Sequence, residues 1–287
     1  MRHTKKYKIQ TAVRVTVLWL FALICLAPFY VAVCYAFKSK TEFAKTKLAF
    51  PTTLYLQNFV DAFELKNYFN SVKNSAIVAI CVVILIVIIC SMSAYIITRK
   101  NNKFYNFIFY FFQMVILIPF QTIMFPLYRE LYSLHALSTL WGLVFTELGV
   151  YMGYYIFLYA GFIKSVPIAL EEAAKIDGAT KWQTLTRVTI PNIMPSITIC
   201  LFLTITNGFK LFDQNLALTN GQPFEQLKDG SVIKTTEMLA LNIYNTFYGQ
   251  SLTGKGVAQA KAVIFFILVA GISIIQLKAT RSKEVQQ

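Results

Sequence analysis

Six stretches of this chain are each about as long and as apolar as a helix must be to cross a bilayer, and nothing else in the sequence restricts the fold so strongly. Crossing the hydrocarbon core as a helix takes about 20 predominantly apolar residues. Residues 15–37, 75–97, 104–127, 137–163, 190–212 and 259–278 meet or nearly meet that requirement. Hydrophobic residues make up 56% of the 287 positions, more than the roughly 45–50% of a soluble domain. The expected fold is therefore an all-α integral membrane protein with six transmembrane helices in a single domain, 1–287. Tails at 1–14 and 279–287 flank it, and a polar loop at 164–189 divides the fourth span from the fifth.

The formal charge of +14 would suit nucleic acid if it formed a stripe interleaved with aromatic rings. The Lys and Arg residues are instead scattered between apolar runs, so anionic lipid is the expected partner and nucleic acid is not. Cys25, Cys34, Cys81, Cys90 and Cys200 show no CxxC spacing, and most sit within apolar runs. They read as small core hydrophobes, and with only His3 and His135 available no metal site or catalytic triad is supported. The basic opening segment (Arg2, Lys5, Lys6, Lys8, Arg14) resembles the start of a signal peptide, but the apolar run behind it is long and lacks a clear small-residue cleavage site. An uncleaved first span is expected. Among the Arg residues only Arg129 falls on the side opposite the amino terminus, which by the positive-inside rule puts both termini in the cytoplasm.

Polar residues and prolines interrupt several spans: Pro119 and Pro126 in the third, Glu147 in the fourth, Pro195 and Asn207 in the fifth. Helix breakers persist at membrane depth where neighbouring helices or a cavity satisfy the freed backbone groups, so these spans are expected to line something. Glu147 is a functional candidate because an ionisable side chain inside a span is costly to keep. Tyr151 and Tyr154 lie three apart on one helical face; such tyrosines serve packing or an interface belt as readily as a ligand. Lys210 and Asp213, again three apart, are expected to form a local ion pair.

The stretch EEAAKIDGATKWQTLTRVTIP, 171–191, is the longest polar run in the middle of the chain. Ser165-Val166-Pro167 reads as a helix start, with Glu171 and Glu172 favourably placed for the dipole. Asp177-Gly178 ends that helix, since Gly adopts the left-handed conformation that closes a C-terminus. Thr180 is the expected N-cap of a second short helix carrying Trp182, Leu185 and Val188, which Pro191 limits as it opens the fifth span. Ala173 and Ala174 leave one face small. Such a helix-turn-helix can dock in another protein's groove or rest as an ordinary interfacial helix on the membrane surface.

The residues of this stretch resemble the permease signature of ATP-binding cassette importers: Glu172-Ala173-Ala174, three residues, Gly178, nine residues, then Val188-Thr189-Ile190-Pro191. The resemblance covers essentially the whole chain. FKLFDQNLALTNGQP (209–223), TTEMLALNIYNTFYG (235–249) and QLKATRSKEV (276–285) are similar to the carboxy-terminal half of carbohydrate-uptake permeases of the maltose and oligosaccharide type. The short amino terminus looks like that of the smaller maltose-type permeases, and the run from Pro191 to Asn220 like the larger ones.

The resemblance implies a cytoplasmic coupling helix-turn-helix, with Glu171, Glu172, Ala173, Ala174, Asp177, Gly178 and Pro191 forming or shaping the contact with an ATPase. It implies a second homologous permease, two cytoplasmic ATPase subunits that hydrolyse ATP with Mg, an extracytoplasmic sugar-binding protein, and a place in a bacterial cytoplasmic membrane. It implies no cofactor on this chain and no enzymatic activity of its own. Carried over in register, its sugar contacts fall on Glu147, Val150, Tyr151, Tyr154, Thr204, Asn207, Gly208 and Leu211. Aromatic faces beside hydrogen-bonding groups suit a sugar, whose rings alternate apolar C–H patches with hydroxyls.

GQSLTGKG, 249–256, comes within one residue of a phosphate-binding loop, but Gly256 stands where Ser or Thr would meet magnesium. The energy source is therefore expected on another chain. The competing class is an ion-coupled secondary sugar carrier, with Glu147 as the coupling group; it leaves the 171–191 stretch unexplained.

Overall fold

The structure, a computed structural model, describes residues 5–64, 66–100, 102–226, 230, 232–249 and 254–281. The outermost parts of both expected tails, and residues 250–253 of the Gly249–Gly256 motif, lie outside the described residues. Among the described residues four helices are individually long and apolar enough to cross a membrane, within Gln10–Ala36, Asn67–Arg99, Leu140–Ser165 and Gly254–Thr280. Two bent helix pairs, Lys103–Ile116 with Phe120–Ser133 and Lys181–Asn192 with Met194–Phe209, pass the same test when each is taken together.

In chain order the described helices are α1 (Lys5–Ala36), α2 (Lys40–Lys45) and α3 (Gln57–Glu64); α4 (Asn67–Arg99), α5 (Lys103–Ile116) and α6 (Phe120–Ser133); α7 (Leu140–Ser165) and α8 (Ile168–Ile176); α9 (Lys181–Asn192) and α10 (Met194–Phe209); α11 (Asp213–Leu218), α12 (Leu239–Tyr248) and α13 (Gly254–Arg281). Between α11 and α12 an antiparallel hairpin pairs β1 (Phe224–Gln226) with β2 (Val232–Lys234).

Two expectations about the spans change. Residues 104–127 are not one rod: α5 stops at Ile116, Pro119 holds extended backbone (φ −64°, ψ 142°) as the cap of α6, and the two helices meet at 101°. Proline supplies no N–H to continue the α5 ladder and disfavours helical backbone in the residue before it, so the helix must break there. The boundary expected at Pro191 lies instead at Ile193, where α9 and α10 bend by 68°. Pro191 sits inside α9 because the turn before it, Leu185–Thr189, is a wider π-turn in which Ile190 N–H bonds Leu185 O, five residues back. Helix also reaches further towards the amino terminus than the expected tail at 1–14, since α1 begins at Lys5.

The described chain forms two compact units, one drawn from 1–65 and 243–266, the other from 66–242 and 267–287. In the first, α1 is exposed along most of its length, with Leu18, Trp19, Phe21 and Ile24 all bare. An all-round apolar helix with no protein cover suits lipid as its solvent. Its last turn packs Ala36 against Ala62 of α3 and Val257 and Ala260 of α13. Asn58 seals this junction by donating from Nδ2 to Ala36 O and Lys38 O, 2.9 Å each. Lys255, from the near-miss motif, lies over the rings of Phe43 and Phe247 at 5.8 and 5.9 Å.

The second unit is built round α7, which buries Leu143, Val144, Tyr155, Ile156, Tyr159, Ala160 and Ile163. Helices α4, α5 and α10 all pack on it. Small residues bring backbones close: a Cβ added at Gly208 would lie 2.8 Å from Ala79 Cβ and 3.0 Å from its Cα, so α10 and α4 meet there without a side chain between them. One face of α4 carries Asn67, Asn70 and Asn74, spaced three and four apart. They bind the backbone of β2 and just beyond it: Asn67 donates to Val232 O, Asn70 to Lys234 O, and Asn74 to Thr235 O and Glu237 O. Side-chain amides of α4 thus add to the hairpin's own short ladder.

Candidate functional site

The loop from Val166 to Ile193 is organised by short-range chemistry. Pro167 caps α8 with extended backbone (φ −59°, ψ 132°). Gly178, at φ +80°, ends the helix in a Schellman motif: Ala179 N–H bonds Ala174 O at 2.9 Å and Gly178 N–H bonds Lys175 O at 3.1 Å. Thr180 then opens α9 with a full capping box, its hydroxyl accepting from Gln183 N and its own N–H bonding Gln183 Oε1. The expected helix-Gly-helix is present, with the expected cap residues.

The tip of this loop is bare. Glu172, Ala173, Asp177 and Gly178 are exposed and Ala174 is half-buried. Ile176 and Trp182 flank the turn at 85% and 71% exposure. A large aliphatic and an indole are thus exposed on either side of a tight turn, among charged neighbours. Pro191, half-buried inside α9, is away from that tip.

Glu171, unlike Glu172, is turned inward. Its side chain is only 5% exposed and pairs with Arg99, Nη2 to Oε1 at 2.9 Å. Arg99 Nε also donates to Oε1 (3.1 Å), Tyr95 OH donates to Oε2 (2.9 Å) and Thr189 Oγ1 donates to Oε1 (3.3 Å). A carboxylate turned out of water needs donors of this kind, and these hold the Glu171 side chain against its own chain. Neither Tyr95 nor Arg99 stood out in sequence, although their spacing of four at the end of an apolar span puts both on one helical face.

The second place of interest is an open cavity of about 530 Å³ lined by the break between α5 and α6, the middle of α7, the end of α10 and the start of α11. Glu147, Tyr151, Tyr154 and Asn207 all line it, with Val150 and Leu211 between them. Glu147 is 3% exposed, and among the described residues its buried Oε2 has no hydrogen-bond partner. Thr204 is not among the lining residues: its hydroxyl donates to Cys200 O at 2.7 Å within α10, the usual fate of a buried helical threonine. Gly208 is likewise spent on the contact with Ala79.

Residues not singled out as contacts complete the lining. Phe120 and Gln121 reach the cavity because Pro119 turns α6 across it, and Lys210, Asp213 and Gln214 rim its mouth. Asp213 accepts from Gln121 Nε2 at 3.3 Å, and no ion pair joins it to Lys210 among the described residues. Lys210 is the C-cap that follows α10, and Asp213 opens the next helix, so the three-residue spacing is not a helical one. Aromatic faces, amides and charged groups of both signs give the cavity donors and acceptors around apolar surface.

Comparison with known proteins adds family evidence to this geometry. The model of binding-protein-dependent transport system inner membrane components matches residues 86–281. The probable starch degradation products transport system permease protein AmyD of Thermoanaerobacterium thermosulfurigenes is 34% identical over 282 residues, covering 92% of this chain and 91% of that protein. AmyC of the same organism, with the same transport-system description, is 33% identical over 175 residues, 61% of this chain and 64% of its own length. A crystal structure of a bacterial ABC transporter involved in importing the acidic polysaccharide alginate contains a chain of the same fold, with a TM-score of 0.80 at 16% identity, covering 97% of this chain and 99% of that one.

Proposed function

The chain belongs to the family of binding-protein-dependent transport system inner membrane components, and from that premise we propose that it is the membrane-spanning permease subunit of an ATP-driven sugar importer, of oligosaccharide type. The observation that carries this reading is the bare, capped helix-Gly-helix tip with Ile176 and Trp182 beside Gly178. It is a docking surface in a chain of a family named for transport.

In this reading the bent pairs α5–α6 and α9–α10 each count as one span, making six with both termini cytoplasmic. The tip formed by Glu172, Ala173, Ala174, Asp177 and Gly178 seats in a cytoplasmic ATPase, where the partner subunits hydrolyse ATP with Mg. A second permease, homologous as AmyC and AmyD are similar to this same chain, completes the bundle, and an extracytoplasmic sugar-binding protein delivers the substrate. Closure of the ATPases moves the tip, and the bundle rocks about a central site in alternating access. Glu147, Tyr151, Tyr154 and Asn207 line the sugar's path. Glu147 accepts from hydroxyls while the tyrosine faces cover C–H patches.

The test is sugar uptake by cells whose ATP is depleted while the ion gradients are clamped, and by cells in the reverse condition. Uptake that requires this chain, stops without ATP and survives collapse of the gradients supports the importer; uptake that follows the gradients refutes it.

A further inference from the structure

The carboxylate of Glu171 joins more than one pair. It belongs to α8, its donors Tyr95 and Arg99 stand on the last two turns of α4, and its donor Thr189 lies in the π-turn of α9. The same guanidinium donates from Nη1 and Nη2 to Val166 O, 3.3 Å each, at the exit from α7. Arg99 thus ties α4 to α8 and to the end of α7, and through Glu171 the same largely buried cluster reaches Thr189 in α9. Its fork geometry is what permits this, because a guanidinium offers donors in fixed directions to two acceptors at once.

A loop held only by apolar contacts could slide over the helix bundle when its tip is pushed. Charge-assisted hydrogen bonds out of water are short, directional and costly to break, so they transmit displacement without slip. We propose that Arg99 is the positioning residue that locks α8 to the end of α4, so that displacement of the exposed tip turns α4 and the loop as one lever. This rests on the importer reading above. The lever arm is long: α4 runs from Arg99 to Asn67, where its asparagine face grips the β2 segment at the helix's other end. Movement at the tip therefore reaches Asn67 through one continuous helix and two hydrogen-bonded joints.

The π-turn at Ile86–Cys90 within α4 changes the ladder register, and the helix continues through it as one piece. It leaves the Arg99 joint itself untouched, nine residues beyond Cys90.

The experiment uses the complete transporter, purified with its partner subunits and binding protein and placed in proteoliposomes, and measures sugar taken up per ATP hydrolysed. Arg99→Gln is expected to leave ATP hydrolysis within about threefold of wild type while uptake per ATP falls about tenfold or more. Because a lone buried carboxylate can impair folding, a double variant, Arg99→Met with Glu171→Met, supplies the same bulk without stranded charge. It is expected to assemble and to lose uptake per ATP to the same extent. Wild-type uptake per ATP in the double variant, or a parallel fall of uptake and hydrolysis that leaves their ratio unchanged, would overturn the lever. Failure of the wild-type complex to take up sugar with ATP would overturn the importer reading itself, whatever the variants do.

Discussion

Gly178 offers a graded test of the loop, because its backbone is demanding and its surroundings are not. Its φ of +80° lies where L side chains are strained, while a Cβ built there meets nothing within 4 Å. Substitution therefore acts through the backbone alone. Alanine should cost about 1–2 kcal/mol in the left-handed region, and asparagine less, since it visits that region more readily. Proline is held near φ −65° and has no N–H for the 3.1 Å bond to Lys175 O, so it should cost about 3 kcal/mol or more. It also disfavours the helical backbone of Asp177, at φ −72°, ψ 4°. At about 1.4 kcal/mol per tenfold, these penalties deplete the properly closed tip by roughly five- to thirtyfold for alanine and over a hundredfold for proline. The strain is confined to an exposed turn, so membrane insertion and thermal unfolding in detergent should stay near wild type. Sugar uptake and retention of the ATPase should fall in the order Gly, Asn, Ala, Pro. Wild-type uptake by Gly178→Pro would refute the reasoning, as would a proline variant that fails only because the whole chain unfolds.

Two other substitutions probe the helix packing and the cavity. Gly208→Val should push α10 from α4, since its Cβ alone would come within 2.8 Å of Ala79 Cβ. An overpacking loss of about 1–3 kcal/mol, read as a lowered Tm in detergent, is expected, and an unchanged Tm would contradict that packing. Glu147→Gln keeps the shape of a side chain whose Oε2 is unpartnered among the described residues but halves its accepting capacity. It should raise the KM for uptake more than it lowers the maximal rate, and an unaltered KM would remove Glu147 from the sugar's path.

What the sequence disclosed follows the range of the forces involved. The loop was legible almost residue by residue because helix ends are decided locally: Thr180 needs Gln183 three positions away, and Gly178 needs only its own freedom at φ +80°. The spans were legible as apolar mass, but not as shape. Pro119 and Pro191 look alike in the sequence, yet one breaks a helix and the other rides within it, because the outcome depends on whether neighbouring turns can widen to receive the ring. Glu171 and Glu172 are adjacent carboxylates that face opposite ways, and what separates them is Arg99, 72 positions earlier. The cavity was half legible. Glu147, Tyr151 and Tyr154 share a helical face, but Gln121 joins them only through the 101° turn at Pro119.

In the proposed importer this chain is one part of a machine powered by another chain docked at the Glu172–Gly178 tip. The most direct test is gentle affinity purification of the chain from its native membrane, with mass-spectrometric identification of whatever is bound in stoichiometric amount. A second permease and an ATPase should be recovered, with the ATPase lost from the Glu172→Ala, Gly178→Pro double variant while the second permease remains. Recovery of the chain alone or only as a homo-oligomer, or an ATPase held equally well by the double variant, would contradict the importer reading.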